Sequence, residues 1–94
     1  MNATPYDIVF AHSAAAAIAE QLPESVVSAV LELIAGDLAE APRRVGTPLG
    51  GELDGRWTAR RGTYRIVYRI DDVRREVVIL RVAHPRDAYR RLDR

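Results

Sequence analysis

The chain has 94 residues, of which 48% are hydrophobic and 29% charged, so it is long enough for one compact core and too short for two. It contains no cysteine and only two histidines, which excludes disulfides and thiolate metal sites, and we expect neither a metal nor another cofactor. No apolar run approaches the roughly 20 residues of a membrane helix, and no signal-peptide pattern is present, so we expect a soluble, cytoplasmic protein without a membrane partner.

The net charge of +1 conceals a separation of charge along the chain. Residues 1–42 contain six acidic and no basic side chains, giving −6, whereas residues 43–94 contain fourteen arginines and seven acidic side chains, giving +7. A GC-rich genome alone would explain why every basic residue is an arginine. The separation of charge nevertheless predicts a polyanionic partner on one side of the domain, and the arginine fork suits phosphate.

The first half of the chain predicts a strand and a helical hairpin. Tyr6–Phe10 has the aromatic and β-branched character of a short strand, and Pro5 suits a sheet edge. Ala14–Leu22 is rich in alanine and predicts a first helix. From Glu24 to about Ala41, apolar side chains recur every three or four residues, which predicts an amphipathic second helix that Pro42 ends.

The second half predicts a loop followed by a β-meander. Arg43–Gly55 is rich in glycine and proline without a sustained period, so we expect a loop there. Strand-like stretches follow at Arg56–Arg61, Tyr64–Ile70 and Glu76–Ala83. The expected fold is therefore α+β in the order β-α-α-β-β-β, with a small, mainly antiparallel sheet packed on a helical hairpin. Residues 1–94 are expected to form a single domain.

Alternation along the predicted strands gives the sheet two unlike faces. One face of the Tyr64–Ile70 strand is apolar, whereas Arg65 and Arg69 lie on the other. Arg56 and Arg60 alternate in the same way in the strand before it. The apolar face suits the helices, and the face with the arginines is the predicted functional site.

Two segments carry a resemblance to a known family. Pro42–Asp72, with the sequence PRRVGTPLGGELDGRWTARRGTYRIVYRIDD, resembles the central block of the RelE/ParE toxin superfamily, which ends in a GxYRxxY-like hairpin and an acidic turn. Val77–Arg91, with the sequence VVILRVAHPRDAYRR, resembles the family's closing strand and its HRRDxY-type ending. The resemblance implies the RelE-like microbial RNase fold and a toxin of a type II toxin–antitoxin system.

The superfamily has at least two functions on one fold. RelE-like members cleave mRNA on the ribosome, whereas ParE-like members inhibit DNA gyrase, so the fold alone does not decide between them. Arg65 in TYR and Tyr89 in DAYR stand where RelE-like members keep an arginine on the sheet and a tyrosine near the C-terminus. We therefore expect a ribosome-dependent, metal-independent mRNA endoribonuclease. A gyrase inhibitor and an inactive antitoxin-binding relative are the alternatives.

The resemblance also implies roles in RelE-like cleavage, in which the ribose 2′-hydroxyl attacks the adjacent phosphate. Arg65 would stabilise the charge on the phosphorane, with a cross-strand ion pair to Glu76 or Asp87 as the alternative. Tyr89 would stack on a base or assist proton transfer, unless it only covers the sheet edge. His84 would act as an acid or base, or only as a structural hydrogen-bonding residue.

Further arginines complete the predicted site. Arg86 is assigned to the catalytic group, as the nearest substitute for the basic residue that relatives carry where this chain has Pro85. The basic pair of some relatives would fall at Arg56 and Thr58, so one of the two positions is not basic here. Solvated surface charge is the alternative role for the predicted RNA-binding residues, which are Arg56, Arg60, Arg61 and Arg81.

The expected partners also come from the resemblance. Because a toxin must be neutralised in its own cell, we expect a cognate, RelB-like antitoxin, whose acidic segment Arg60 and Arg61 would attract. A heterotetramer of toxin and antitoxin is one expected assembly. The other expected partners are mRNA in the ribosomal A site and ribosomal RNA.

Overall fold

The computed structural model describes residues 4–83 of the chain. In chain order its helices and strands are β1 (Asp7–Phe10), α1 (His12–Ala16), α2 (Glu24–Leu33), α3 (Pro42–Val45), β2 (Thr47–Pro48), β3 (Arg56–Arg61), β4 (Tyr64–Asp71) and β5 (Glu76–Ala83). The first two helices continue into π-helical segments at Ala17–Gln21 and Ile34–Leu38, and a 3-10 turn spans Gly51–Leu53. The predicted α+β class and the predicted order of the main elements are confirmed.

The strands form one mixed sheet in the order β1-β5-β4-β3-β2. β3, β4 and β5 form the predicted antiparallel meander. β1 lies at the sheet edge, as Pro5 suggests, and runs parallel to β5 with Ile8 opposite Val77. Parallel neighbours need a long crossover connection, and the helical hairpin between β1 and the meander is part of it.

The helical hairpin covers one face of this sheet. Along α2 and its continuation, Val30, Ile34 and Leu38 are fully buried, which is the apolar face that the helical period predicts. Pro23, in extended conformation, precedes the first residue of α2 and separates it from the first helix. Within residues 4–83, no helix is long and apolar enough to cross a bilayer.

The segment predicted as a loop contains short regular elements. Pro42 stands in the first turn of α3, where its fixed φ angle suits a helix and its missing N–H costs nothing. After this helix, Thr47 and Pro48 pair with Thr58 and Trp57 as a two-residue edge strand. The prediction of a loop through the whole segment is therefore wrong, because these elements form against the meander.

Tyr68 is the largest fully buried side chain of the core. Its hydroxyl donates a hydrogen bond of 2.6 Å to the carbonyl of Pro42, so the burial leaves that hydroxyl satisfied. Burial raises the pKa of Tyr68 to about 12. Gly46 passes directly over the hydroxyl, since a Cβ atom there would lie 2.0 Å from it and 2.9 Å from the carbonyl of Thr58. The chain between α3 and β2 can close over Tyr68 only because Gly46 has no side chain.

The last strand contains a β-bulge. The register of β4 against β5 shifts by one residue next to Val67, which leaves Leu80 as the extra residue. Ile79 before the bulge and Val82 after it both belong to the core. The bulge therefore keeps both apolar side chains inside and leaves Arg81 on the other face.

Candidate nucleic-acid interface

Arginines from three neighbouring strands share the sheet face that the helices leave uncovered. The β-register places Arg60 opposite Arg65 and Arg56 opposite Arg69. Arg81 lies opposite Val67, and so between these two pairs along the sheet. We name this surface, formed by Arg56, Arg60, Arg65, Arg69 and Arg81, the arginine face. It is the face that strand alternation predicts.

The arginine face is broad and partly accessible. Arg56, Arg60 and Arg69 are exposed, whereas Arg65 and Arg81 are half-buried. The two arginine pairs are four residues apart along β3, which corresponds to roughly 13 Å. Such a spacing allows the face to contact successive phosphates of one strand of nucleic acid.

Arginines on this face lie directly opposite other arginines. Like charges directly opposite each other on neighbouring strands destabilise a sheet, and the face contains two such pairs. The described acidic side chains of the same face form a separate row at one end, where Asp7, Glu76 and Asp71 are in register. Among the described residues, the acidic row therefore lies apart from the Arg60–Arg65 pair, and the arginines concentrate positive charge in the middle of the face.

Arg61 does not share this face, although it was grouped with the RNA-binding arginines on sequence grounds. It lies opposite Tyr64, and its guanidinium is 3.7 Å from the carboxylate of Glu32 in α2. Successive side chains of a strand point to opposite sides, so Arg60 and Arg61 face different layers. An RNA contact by Arg61 would have to occur on the helical side of the sheet.

Comparison with known proteins identifies the family. The model of the family described as ParE toxin of type II toxin–antitoxin system, parDE, matches residues 8–89. Toxin RelG of Mycobacterium tuberculosis is 51% identical over 87 residues, which cover 93% of this chain and 99% of RelG. The chain belongs to the RelE/ParE toxin superfamily. It is the toxin of a type II toxin–antitoxin system, as the sequence predicts.

Two further relatives place the toxin on the RelE side of the superfamily. Toxin RelE of the same organism is 40% identical over 86 residues, which cover 92% of this chain and 88% of that protein. The crystal structure of the toxin–antitoxin complex RelBE2 from M. tuberculosis matches with a TM-score of 0.82 at 49% identity, over 86% of this chain and 99% of that one. The predicted RelE-like fold is thereby confirmed.

Three of the four predicted catalytic residues of the toxin, His84, Arg86 and Tyr89, lie outside the described residues. The fourth, Arg65, lies on β4 in the middle of the arginine face, between β3 and β5. An ion pair of Arg65 with Glu76 is excluded, because Glu76 is opposite Asp71, which is six residues and roughly 20 Å from Arg65 along β4. Asp87, the other predicted ion-pair partner, lies outside the described residues.

Strand alternation placed Arg69 on this face, but Arg69 was left out of the predicted RNA-binding residues. It alternates with Arg65 in β4 and lies opposite Arg56, so it belongs to the face as fully as the predicted residues do. Among residues 4–83, no three histidine or carboxylate side chains come together in a way that could hold a metal ion.

A second polar cluster of the toxin lies where β4 turns into β5. The guanidinium of Arg43 is 2.6 Å from one carboxylate oxygen of Asp72, and the Tyr6 hydroxyl donates to the other at 2.8 Å. These hydrogen bonds, that of Arg43 above all, hold the pKa of Asp72 below its ordinary value. Arg75 covers the Tyr6 ring at 4.1 Å and donates a hydrogen bond to the Thr4 carbonyl. The cluster joins the N-terminal segment, α3 and the turn, which is a structural role.

Proposed function

We propose that this toxin is an endoribonuclease that inhibits translation by cleaving mRNA on the ribosome. The arginine face carries the proposal, because five arginines from three neighbouring strands present positive charge on one partly accessible surface. A ligand rich in phosphate would match this charge, and binding of RNA would release counterions from the RNA backbone.

The proposed reaction is attack of a ribose 2′-hydroxyl on the adjacent phosphate, which leaves a 2′,3′-cyclic phosphate and a free 5′-hydroxyl. Arg65 is proposed to stabilise the phosphorane, because a half-buried guanidinium on a central strand is held in place and partly shielded from water. His84, Arg86 and Tyr89 are proposed to complete the site and to transfer the protons. They follow Arg81 by three, five and eight residues, so β5 leads directly to them. The proposed chemistry uses side chains without a metal or another cofactor.

The remaining arginines of the face are proposed to bind RNA. Arg56, Arg60 and Arg81 would contact the backbone on either side of the scissile phosphate, together with Arg69. The RNA would be mRNA in the ribosomal A site, with ribosomal RNA as a further contact. The helical hairpin between His12 and Leu38 contains four acidic side chains and no arginine, which would keep the helical side from competing for phosphate.

A RelB-like antitoxin is the proposed protein partner, in the cytoplasm where ribosomes are found. The similarity to the toxin–antitoxin complex RelBE2 supports this partner, and a heterotetramer is one assembly that the pair could form. An acidic antitoxin segment would be attracted to the same arginines that attract RNA.

Inhibition of DNA gyrase is the second candidate function. It is favoured by the family model, whose description names the ParE toxin. A gyrase inhibitor has no phosphorane to stabilise, so removal of Arg65 would leave its toxicity largely intact. Poisoned cells would then show DNA damage with intact transcripts.

The test is mapping of 5′ ends in a reporter mRNA after brief induction of the toxin without antitoxin. We expect new 5′ ends at codon-phased positions, and we expect the Arg65→Ala variant to reduce their rate of formation by about 100-fold or more. Arg74→Ala is the matched control, because Arg74 is an exposed arginine in the turn after β4 and lies off the arginine face. Growth arrest with intact message would reject the endoribonuclease in favour of the gyrase inhibitor.

A further inference from the structure

The bulge at Leu80 decides which side chains at the end of β5 reach the arginine face. Side chains alternate along a regular strand, so a strand continuing unbroken from Ile79 would place Arg81 in the core and Val82 outside. The structure has the opposite arrangement, with Val82 in the core and Arg81 beside Val67. Because burial of a guanidinium is costly, the extra residue at Leu80 is what allows Arg81 to occupy this position.

The carbonyl group of the bulge has a specific partner. A bulge leaves its extra residue outside the sheet ladder, and the freed backbone groups need other hydrogen bonds. The Ser13 hydroxyl in α1 donates a hydrogen bond of 2.9 Å to the Leu80 carbonyl. One residue earlier, the Ala11 amide donates at 2.9 Å to the Ile79 carbonyl, where the pairing with β1 ends. The hydrogen bond from Ser13 therefore holds β5 one residue beyond the end of its pairing with β1.

The position of this hydrogen bond affects the direction of β5 after Leu80. Bulges bend a strand and increase its local twist, so the geometry at Leu80 sets the direction of the strand beyond it. Arg81 is the next residue after Leu80. A small change of direction at the bulge would displace its side chain.

We propose that Ser13 is a positioning residue. Its hydroxyl fixes the bulge at Leu80 and thereby directs Arg81 towards bound RNA. The inference rests on the proposed endoribonuclease activity, because it takes Arg81 as an RNA contact. Ser13 itself acts through the backbone of Leu80, without contact to RNA.

The test compares three substitutions that differ in the hydroxyl group. Ser13→Thr keeps the hydroxyl, Ser13→Val has the shape of threonine without it, and Ser13→Ala removes it with the least change in volume. Ser25→Ala, at an exposed serine of α2, is the control for loss of an unrelated hydroxyl. Each purified toxin is assayed for kcat/KM of reporter mRNA cleavage on ribosomes, and for amide hydrogen exchange at Arg81 and Val82.

We expect Ser13→Ala and Ser13→Val to lose about fivefold in kcat/KM, as for one neutral hydrogen bond, and to exchange faster at both amides. Ser13→Thr and Ser25→Ala should stay within about twofold of the parent in kcat/KM. Equal cleavage by the Thr and Val variants would overturn the proposal, even if the Ala variant failed to fold.

The two proposals can fail separately. If the unmodified toxin does not cleave mRNA, the endoribonuclease is rejected. Hydrogen exchange at Arg81 then still tests whether Ser13 fixes the bulge. Unchanged exchange in Ser13→Val would reject that role, and faster exchange would support it.

Discussion

The two faces of the sheet differ in how they treat polar groups. On the helical side, the Tyr68 side chain is fully buried, and its hydroxyl has the Pro42 carbonyl as partner. On the arginine face, Arg60 lies opposite Arg65 and Arg56 lies opposite Arg69, so like charges are neighbours. The first arrangement stabilises the domain, whereas the second places like charges side by side, which does not help the sheet and suits an anionic ligand. The proposed function therefore uses the side of the strands opposite to the side that forms the core.

The strongest way to test the stabilising role of the helical side is Gly46→Ala. The added methyl would lie 2.0 Å from the Tyr68 hydroxyl and 2.9 Å from the Thr58 carbonyl, so the chain must move. We expect a loss of about 2–3 kcal/mol in the free energy of unfolding, measured by urea denaturation.

The same substitution in a Tyr68→Phe background provides the control. Removal of the hydroxyl removes the shortest of the close contacts, whereas those with the Thr58 carbonyl and the ring carbon Cζ remain at 2.9 Å. Gly46→Ala should therefore cost at least about 1 kcal/mol less in the Tyr68→Phe background than in the parent protein. If the losses in the free energy of unfolding are strictly additive, the close approach to the Tyr68 hydroxyl is not the reason that residue 46 must be glycine.

Tyr68→Phe alone should have an intermediate effect. It leaves the Pro42 carbonyl without its 2.6 Å hydrogen bond, for which we expect a loss of about 1–2 kcal/mol. Since burial raises the pKa of Tyr68 from 10.0 to about 12, the native state favours the protonated phenol. This contribution is complete below pH 10 and is lost as the pH rises through 12. The alkaline loss of stability in urea titrations should therefore be smaller in the Phe variant, and an equal loss would contradict the assignment.

The smallest effect on stability is expected on the arginine face. Arg60→Gln removes one member of a like-charged pair, so the domain should be unchanged or more stable by up to about 0.5 kcal/mol. RNA binding, measured by fluorescence anisotropy at several salt concentrations, should weaken, and the slope of log K against log salt should fall by about 1.

The adjacent arginine gives a matched control for this prediction. Arg61→Gln makes the same chemical change on the other side of the strand, where only the exposed carboxylate of Glu32 is near. RNA affinity should therefore change much less than in Arg60→Gln. If both variants weaken RNA binding equally, RNA affinity does not depend on which face of the sheet carries the arginine, and the prediction is wrong.

Strand alternation explains why much of the fold and of the interface was predictable. In β3 and β4, polar and apolar residues alternate regularly, which identified the arginine face before any contact was known. The same rule separates Arg60 from Arg61, and grouping both as RNA contacts on charge alone ignored it. The family resemblance supplied the toxin assignment, which alternation cannot give.

The features that were not predictable depend on contacts distant in sequence. In β5 the residues from Val77 to Leu80 are all apolar, so no alternation marks Leu80 as the bulge. The short elements between Pro42 and Gly55 form because Gly46 packs on Tyr68, far along the chain. The parallel pairing of β1 with β5 likewise has no local signature in either strand.

This pairing of the first strand with the last also has a consequence for synthesis of the toxin. Asp7 is opposite Glu76, so the sheet edge closes only when the 68 intervening residues of the chain have emerged. Contacts of such long range form late and slow the folding of small domains. Arg81 joins the arginine face at the same stage, because it belongs to β5. A ribosome translating this message therefore releases most of the chain before the surface proposed to attack ribosome-bound RNA exists.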